Sequence, residues 1–298
     1  MINLIRLDDP YAITYPQITA VADKGGTCIE LIEFFDCVGG AMWAMHHYTQ
    51  SPLVKSVRNV GGTMRYLLVP GSVNLKLAGS KFPAGISRVS ITDDEVGIEY
   101  IGMGGGGVGA SICRALAKGV IRCRYDQSGG GKMAGSEVWL IRRERVLIGI
   151  DDTDTPDEGA TWTLAHNIAR AVEDEESRYL SHTIVQLFPV PFKTKNCVST
   201  VCEFASSNPA RLVQKFQDLL EEYTLSPYTG MAVYRGFDPS GLLAFGRKVK
   251  EGQISFDDTD ELKDENLTIH MHGRGKVGAV AALPFFCQFQ EALDVWSG

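Results

Sequence analysis

The chain has 298 residues, 44% hydrophobic and 22% charged, with 36 acidic against 29 basic side chains and a net charge of -7. Those values suit a globular protein of two domains and exclude a broad basic surface for sequence-independent nucleic-acid binding. No apolar run approaches the roughly 18 residues of a membrane span, and residues 1–15 lack a basic-then-apolar leader pattern, so no membrane partner and a cytoplasmic location are expected.

Residues 27–35 (TCIELIEFF) alternate and then saturate with apolar side chains, which predicts a partly buried strand. Gly39-Gly40 ends it, and residues 41–48 (AMWAMHHY) have helix-forming composition. Residues 64–69 predict a second strand, closed by Pro70-Gly71. Residues 86–91 and 96–101 flank Asp93-Asp94-Glu95 as a hairpin, and a helix over 108–116 and a strand over 120–125 follow. The order β-α-β-β-α-β resembles a ferredoxin-like arrangement, an α+β domain. A glycine-rich segment, 128–135, precedes the apolar run 138–141 and the charged stretch 142–145 (RRER), where the domain boundary is expected: 1–143 and 144–298. No sequence repeat is visible.

The second domain opens with a strand over 146–150 that runs into Asp151-Asp152-Thr153-Asp154. A helix is predicted over 162–172, strands over 183–187 and 198–204, and a helix starting at Asn208-Pro209 and running to residue 223. Residues 277–285 are apolar and close the domain. The fold class expected is therefore α/β (α+β): a ferredoxin-like N-terminal domain followed by an α/β domain.

The acidic turn carries the chemistry. Three carboxylates within four residues repel one another unless a cation neutralises them, and hard oxygens without Cys or His nearby favour magnesium shared with substrate phosphates. A buried strand would deliver Asp151, Asp152 and Asp154 to a sheet edge where α/β proteins bind ligands. Gly159 permits a sharp approach to the next helix, whose N-terminus can receive an anion, and Thr161 and Thr163 can add hydroxyls to phosphate or metal. The alternative is an exposed turn whose Asp or Thr caps the helix. Asp157 and Glu158 are expected to be solvated.

Three segments resemble a known family in the same order. Residues 149–159 (GIDDTDTPDEG) are similar to the G-I-D-D-T-D-S start of the kinase domain of archaeal tRNA-Ile agmatinylcytidine synthetase; residues 189–196 (PVPFKTKN) resemble its P-Y-K-T-R-G-N stretch; and residues 273–283 (GRGKVGAVAAL) resemble its R-G-L-I-G-A-L-A-A segment. The whole chain resembles the methanogenesis marker protein 11 family. The resemblance implies an ATP-binding, kinase-like fold in which Asp151, Asp152 and Asp154 hold magnesium and serve catalysis with Lys193. It also places Thr153, Gly159, Thr161, Thr163, Lys195, Arg274 and Lys276 around the nucleotide, with Lys193 and Lys195 neutralising phosphate. Gly159-Ala160-Thr161-Trp162-Thr163 departs from the family's consecutive threonines, and no cysteine ribbon is present, so tRNA is the disfavoured acceptor. The function expected is ATP- and magnesium-dependent phosphoryl transfer to a small molecule, cofactor or protein in a methanogenic archaeon. The alternative is a non-catalytic, nucleotide-binding assembly or regulatory factor whose first domain meets a protein partner.

Other signals are weaker. Gly104-Gly105-Gly106-Gly107-Val108-Gly109 fits G-x-G-x-x-G with Asp126 at about the expected distance, yet no βαβ series starts there, so an anion loop or structural turn is expected. Gly129-Gly130-Gly131-Lys132 lacks the Ser/Thr of a P-loop. His46-His47 and His270-Met271-His272 have no acidic or cysteine partner at ligand spacing, and Asp257-Asp258-Thr259-Asp260 leads into a charge run and is expected to be an exposed loop. The seven scattered cysteines form no C-x-x-C and read as free thiols.

Overall fold

A computed structural model describes residues 9–194 and 196–294. The chain divides into two compact units, Met1–Arg143 and Glu144–Gly298.

In the first unit the chain runs β1 (Gln17–Ala22), β2 (Ile29–Phe34), α1 (Val38–Tyr48), β3 (Val54–Val60), β4 (Thr63–Leu68), a two-residue β5 (Gly71–Ser72), β6 (Ala84–Ile91), β7 (Glu95–Met103), α2 (Gly105–Ala110), α3 (Ile112–Ala115), β8 (Val120–Tyr125) and β9 (Met133–Asp151). β2 pairs antiparallel with β1 and β4, and β4 with β3. β7 pairs antiparallel with β6 and β9, and β9 with β8. The two orders, 3-4-2-1 and 8-9-7-6, are the same: the unit is a strand-strand-helix-strand-strand motif built twice. β1 joins the halves through a short parallel contact with β9, Ala20 opposite Arg142 and Val21 opposite Arg143.

The unit is α+β, as expected, and its sheet is larger than the ferredoxin-like series. β1 and β3 were not foreseen. β3 (VKSVRNV) is buried only near its ends and carries polar side chains between them, so its apolar period is weak. Arg143 and Arg145, in the charged stretch where the domain boundary is expected, are buried inside the long strand β9. The formal dinucleotide motif also resolves: β7 lies in an antiparallel ladder, so Gly104–Gly109 opens no βαβ unit. A Cβ on Gly102 would sit 2.4 Å from the Gly106 carbonyl oxygen, so these glycines let a strand and the next helix touch.

The core holds a charge. Arg114 Nε donates to Glu33 Oε1 at 2.7 Å and Nη2 to Oε2 at 2.8 Å, both residues being 1% exposed. The guanidinium carbon lies 4.4 Å from the Tyr15 ring centre, 4.8 Å from Tyr48 and 5.0 Å from Tyr100.

The second unit uses the end of β9 together with α4 (Thr161–Val172), β10 (Ser177–Gln186), β11 (Val198–Ser206), α5 (Pro209–Tyr223), β12 (Gly230–Arg235), α6 (Leu243–Glu251), β13 (Leu267–His272), α7 (Lys276–Ala282) and α8 (Phe289–Leu293). Its sheet runs β10-β11-β9-β12-β13, antiparallel throughout. Both faces of β9 are covered. Val146, Ile148 and Ile150 face the core shared with α4 and α5, while Leu147 packs in the cluster of α6 and α7. Two buried faces account for the unbroken apolar run before the acidic turn. Gly149 lies on the α7 side, where a Cβ would meet the Ala279 carbonyl oxygen at 2.0 Å, so the helix rests on bare backbone. Among the described residues no helix is long and apolar enough to cross a membrane.

Candidate functional site

The alternation along β9 turns Asp151 toward α7 at the point where the strand leaves the sheet. Its Oδ2 fills the space above Gly278: a Cβ there would lie 1.8 Å away. The Asp152 amide donates to Asp151 Oδ1 at 2.8 Å. Loss of water around the carboxyl pushes its pKa well above the usual carboxylate range, the negative charges of Asp152 and Asp154 add to this, and Arg274 opposes it. A carboxyl so placed favours its proton unless a cation joins it.

Asp152 is the one non-glycine residue with positive φ, 61°, among the described residues. Aspartate tolerates this region better than most side chains. Its Oδ2 accepts from Arg274 Nε at 2.6 Å. The Arg274 guanidinium lies 4.1 Å from the Tyr228 ring centre and 4.9 Å from that of Phe192. The turn is clamped from outside: Thr229 Oγ1 donates to the Asp152 carbonyl at 3.1 Å and the Leu225 amide to the Thr153 carbonyl at 2.9 Å. Asp154 accepts from Thr161 Oγ1 on one oxygen and from Thr194 Oγ1 on the other, each at 3.2 Å.

These groups line a cavity of about 310 Å³ with Asp151, Asp152, Asp154, Gly159, Thr161, Lys193 and Arg274 on its walls. The first turn of α4 opens into it: Ala160 and Trp162 line it, no side chain caps the helix and no acid stands in its first turn. Much of the remaining lining is apolar, with Phe188, Phe192, Ile254 and Phe256; the Phe192 and Phe256 ring centres are 5.9 Å apart. Gly159, at φ 94°, turns the chain tightly against Asp154.

The structure does not bring every candidate here. Thr153 is buried and its hydroxyl is spent on Thr161 Oγ1 at 3.0 Å. Thr163 Oγ1 donates to the Ala160 carbonyl at 2.8 Å, closing the helix start instead of facing the cavity. Lys276 Nζ lies 2.9 Å from both Asp260 oxygens. The second acidic run thus supplies counter-ions, since Asp258 likewise pairs with Lys248 at 2.8 Å. Lys195 lies outside the described residues. Sequence reasoning overlooked Gly278, Thr194 and the aromatic wall; the glycine spacing in residues 273–283 and the Phe positions around 188–192 were the available signals. The sheet is antiparallel, so the acids stand at the end of β9 alone and not along a shared carboxyl edge.

Does this donor set suit magnesium? Among the described residues no three His, Cys, Asp or Glu side chains converge tightly enough to hold a metal unaided. Asp152 is paired with Arg274, whereas Asp151 and Asp154 accept from uncharged donors, which leaves those two as the under-neutralised groups. That fits an ion that keeps waters and takes its remaining ligands from phosphate oxygens.

The fold and the cavity together define an antiparallel sheet, helix-covered on both faces, with an acid-walled pocket at the end of its central strand. A family model described as the TiaS TCKD domain matches residues 147–211, the stretch from β9 through the turn to the start of α5. Over 282 residues the chain is 39% identical to the uncharacterized protein MJ0921 of Methanocaldococcus jannaschii, covering 91% of this chain and 94% of that one. The chain belongs to the family of that protein. Among solved structures it is similar to the TiaS–tRNA(Ile2)–ATP complex (23% identity, TM-score 0.43, 47% of this chain and 36% of that one) and to apo TiaS, a tRNA(Ile2) agmatidine synthetase (21%, 0.40, 47% and 35%). The chain thus spans about a third of the length of those structures.

Proposed function

We propose that the second unit, residues 144–298, binds ATP with magnesium and transfers or activates with its terminal phosphoryl group, the acceptor being a molecule other than tRNA. The observation that carries this reading is the position of Asp151: a desolvated carboxyl beside Asp152 and Asp154, lining the same cavity as the uncapped N-terminus of α4. The family-model match over the same turn supports it.

The division of labour follows from the walls. Magnesium held by Asp151 and Asp154 supplies neutralisation for a polyphosphate. The first amides of α4 face that anion with the positive end of the helix. Lys193, exposed and lining the same cavity, adds a cation. Arg274 fixes Asp152 and keeps its flat face between two rings. Phe188, Phe192 and Phe256 offer an apolar surface to a base. Such a site works by placing and neutralising charge, which is most of what phosphoryl transfer requires. The methanogenic setting belongs to the same proposal, drawn from the chain's resemblance to a methanogenesis marker family.

Calorimetric titration with ATP, with and without magnesium, tests it on the full chain beside Asp151→Asn and Lys193→Ala. Binding that requires magnesium and is lost in Asp151→Asn is expected, with a milder loss in Lys193→Ala. Magnesium-independent binding, or binding indifferent to Asp151, refutes the proposal.

A further inference from the structure

The first unit contains a larger cavity, of about 1030 Å³, which the proposed chemistry does not use. Core packing leaves no void of that size, and ligand pockets span roughly 300–1,000 Å³. One wall is the face of α1 that presents Gly40, Trp43, Ala44, His47 and Tyr48, at the i, i+3, i+4, i+7, i+8 spacing of a single helix side. The facing wall is the glycine run that begins at Gly104. The tip of the Trp43 ring stands 3.0 Å from where a Gly106 Cβ would be, so a side chain at residue 106 would displace the indole. Trp43 is nevertheless 42% exposed, a large apolar ring left open over a bare backbone wall.

The polar groups narrow the ligand. His47 is 6% exposed and lines the cavity. Its Nδ1 lies 3.5 Å from Gln50 Nε2, and that same Nε2 donates to the Lys81 carbonyl at 3.4 Å. The amide nitrogen is therefore fixed as a donor, Nδ1 accepts, and the imidazole proton sits on Nε2. Among the described residues nothing pairs with that Nε2–H. Burial, with His46 beside it, lowers the His47 pKa, so the ring is neutral at pH 7. Among the described residues the one Lys or Arg in the lining is Arg114. Its Nε and Nη2 are taken by Glu33, Nη2 also reaches the Tyr15 hydroxyl at 3.0 Å, and Nη1 meets the Gly109 carbonyl at 2.6 Å. Among the described residues no cation of the lining is left over for a phosphate or carboxylate.

We infer that this cavity binds an uncharged, planar heteroaromatic ring system, stacked on Trp43 along the glycine wall, with a ring nitrogen or carbonyl accepting from His47 Nε2. The wall is flat because its residues lack side chains, the exposed partner is an indole, and the buried His47 donor is directional. An aliphatic ligand would use none of these three features.

The test uses the full chain with guanosine and riboflavin as neutral planar probes and octyl glucoside as an aliphatic one, followed by calorimetry and saturation-transfer NMR. Trp43→Ala removes an exposed ring and should not threaten folding. Binding of a planar probe is expected, weakened about ten-fold or more in Trp43→Ala, the range of a lost base–aromatic stack, and weakened also in His47→Phe, which keeps the ring shape. Phe192→Ala, in the second unit, should leave it unchanged, and this separates the inference from the proposed nucleotide site. The inference falls if neither planar probe binds, if binding tracks Phe192 and not Trp43, or if octyl glucoside binds as tightly with the same dependence on Trp43.

Discussion

Arg274 Nε donates to Asp152 Oδ2 at 2.6 Å while Asp152 holds the left-handed backbone conformation that turns β9 out of the sheet. An ion pair at the tip of a strained turn is a positioning device, since an unstrained loop would reach the same ends at lower cost. The pair is partly open to solvent, so its worth to stability is small, about 1 kcal/mol or less. Its worth to the site should be larger, because the guanidinium also lies between Phe192 and Tyr228. Arg274→Lys keeps the charge and loses the flat stacking surface. We expect ATP affinity to drop about ten-fold, equivalent to about 1.4 kcal/mol, with the melting temperature moving by no more than about 4 °C. Calorimetry and a thermal melt on the same sample decide it; a large melting shift would make Arg274 a structural residue.

Gly278 lets Asp151 exist where it does. A methyl group there would overlap Asp151 Oδ2, whereas a methyl at Gly252, extended at φ -171°, meets nothing within 4 Å. Gly278→Ala should therefore destabilise the protein by about 1–3 kcal/mol, the usual cost of overpacking, and Gly252→Ala should be neutral. Urea denaturation of both variants checks the contrast. Equal effects would mean that α7 shifts freely and that the cradle around Asp151 is loose.

How much of this was legible in the sequence can be judged from such residues. The run 146–150 revealed a strand buried on both faces, and Asn208-Pro209 revealed a helix start; Asn208 Oδ1 does accept from the Arg211 amide, at 3.3 Å. The duplication of the first unit was hidden because its halves share pairing order and not residues: α1 answers to a glycine-rich pair of short helices. β12 and β13 escaped notice because a β-bulge shifts their register between Met231 and Ala232 and because β13 is exposed or only partly buried along its length. In the acidic turn, residue types announced the chemistry, while the partners could not be read. Nothing in the local sequence says that Lys276 will meet Asp260 or that Arg274 will reach back 122 positions to Asp152.

The buried pair Arg114–Glu33 makes a separate prediction for the first unit. Glu33 also accepts from the Tyr100 hydroxyl at 3.0 Å, so its carboxylate serves two donors within a ring of tyrosines. Removing one member leaves an uncompensated buried charge, which costs about 3–5 kcal/mol. Glu33→Leu should be hard to fold, whereas Glu33→Leu with Arg114→Met should recover much of the loss. A denaturant series on the two singles and the double gives the coupling directly; additive losses would show that the two charges do not depend on each other.

His182 sets the acid limit of the second unit. It stands on β10 with Thr200 Oγ1 against its Nε2, and its ring centre is 5.9 Å from that of His166. Burial, reinforced by His166, lowers its pKa from 6.5 to about 4. Between those values the unfolded chain binds the proton more readily than the folded one, so stability rises with pH there. The contribution is fully present above about pH 6.5, is lost as pH falls toward about 4, and is constant below that. His47 and His270, also lowered by burial, act in the same direction. Urea unfolding above about pH 7 and again near pH 5 should show the loss, and His182→Gln, which cannot take up the proton, should show less of it. An NMR titration in which the His182 ring signals move with a midpoint near that of a free imidazole would contradict the assignment, because a solvated histidine in this position would carry no such dependence.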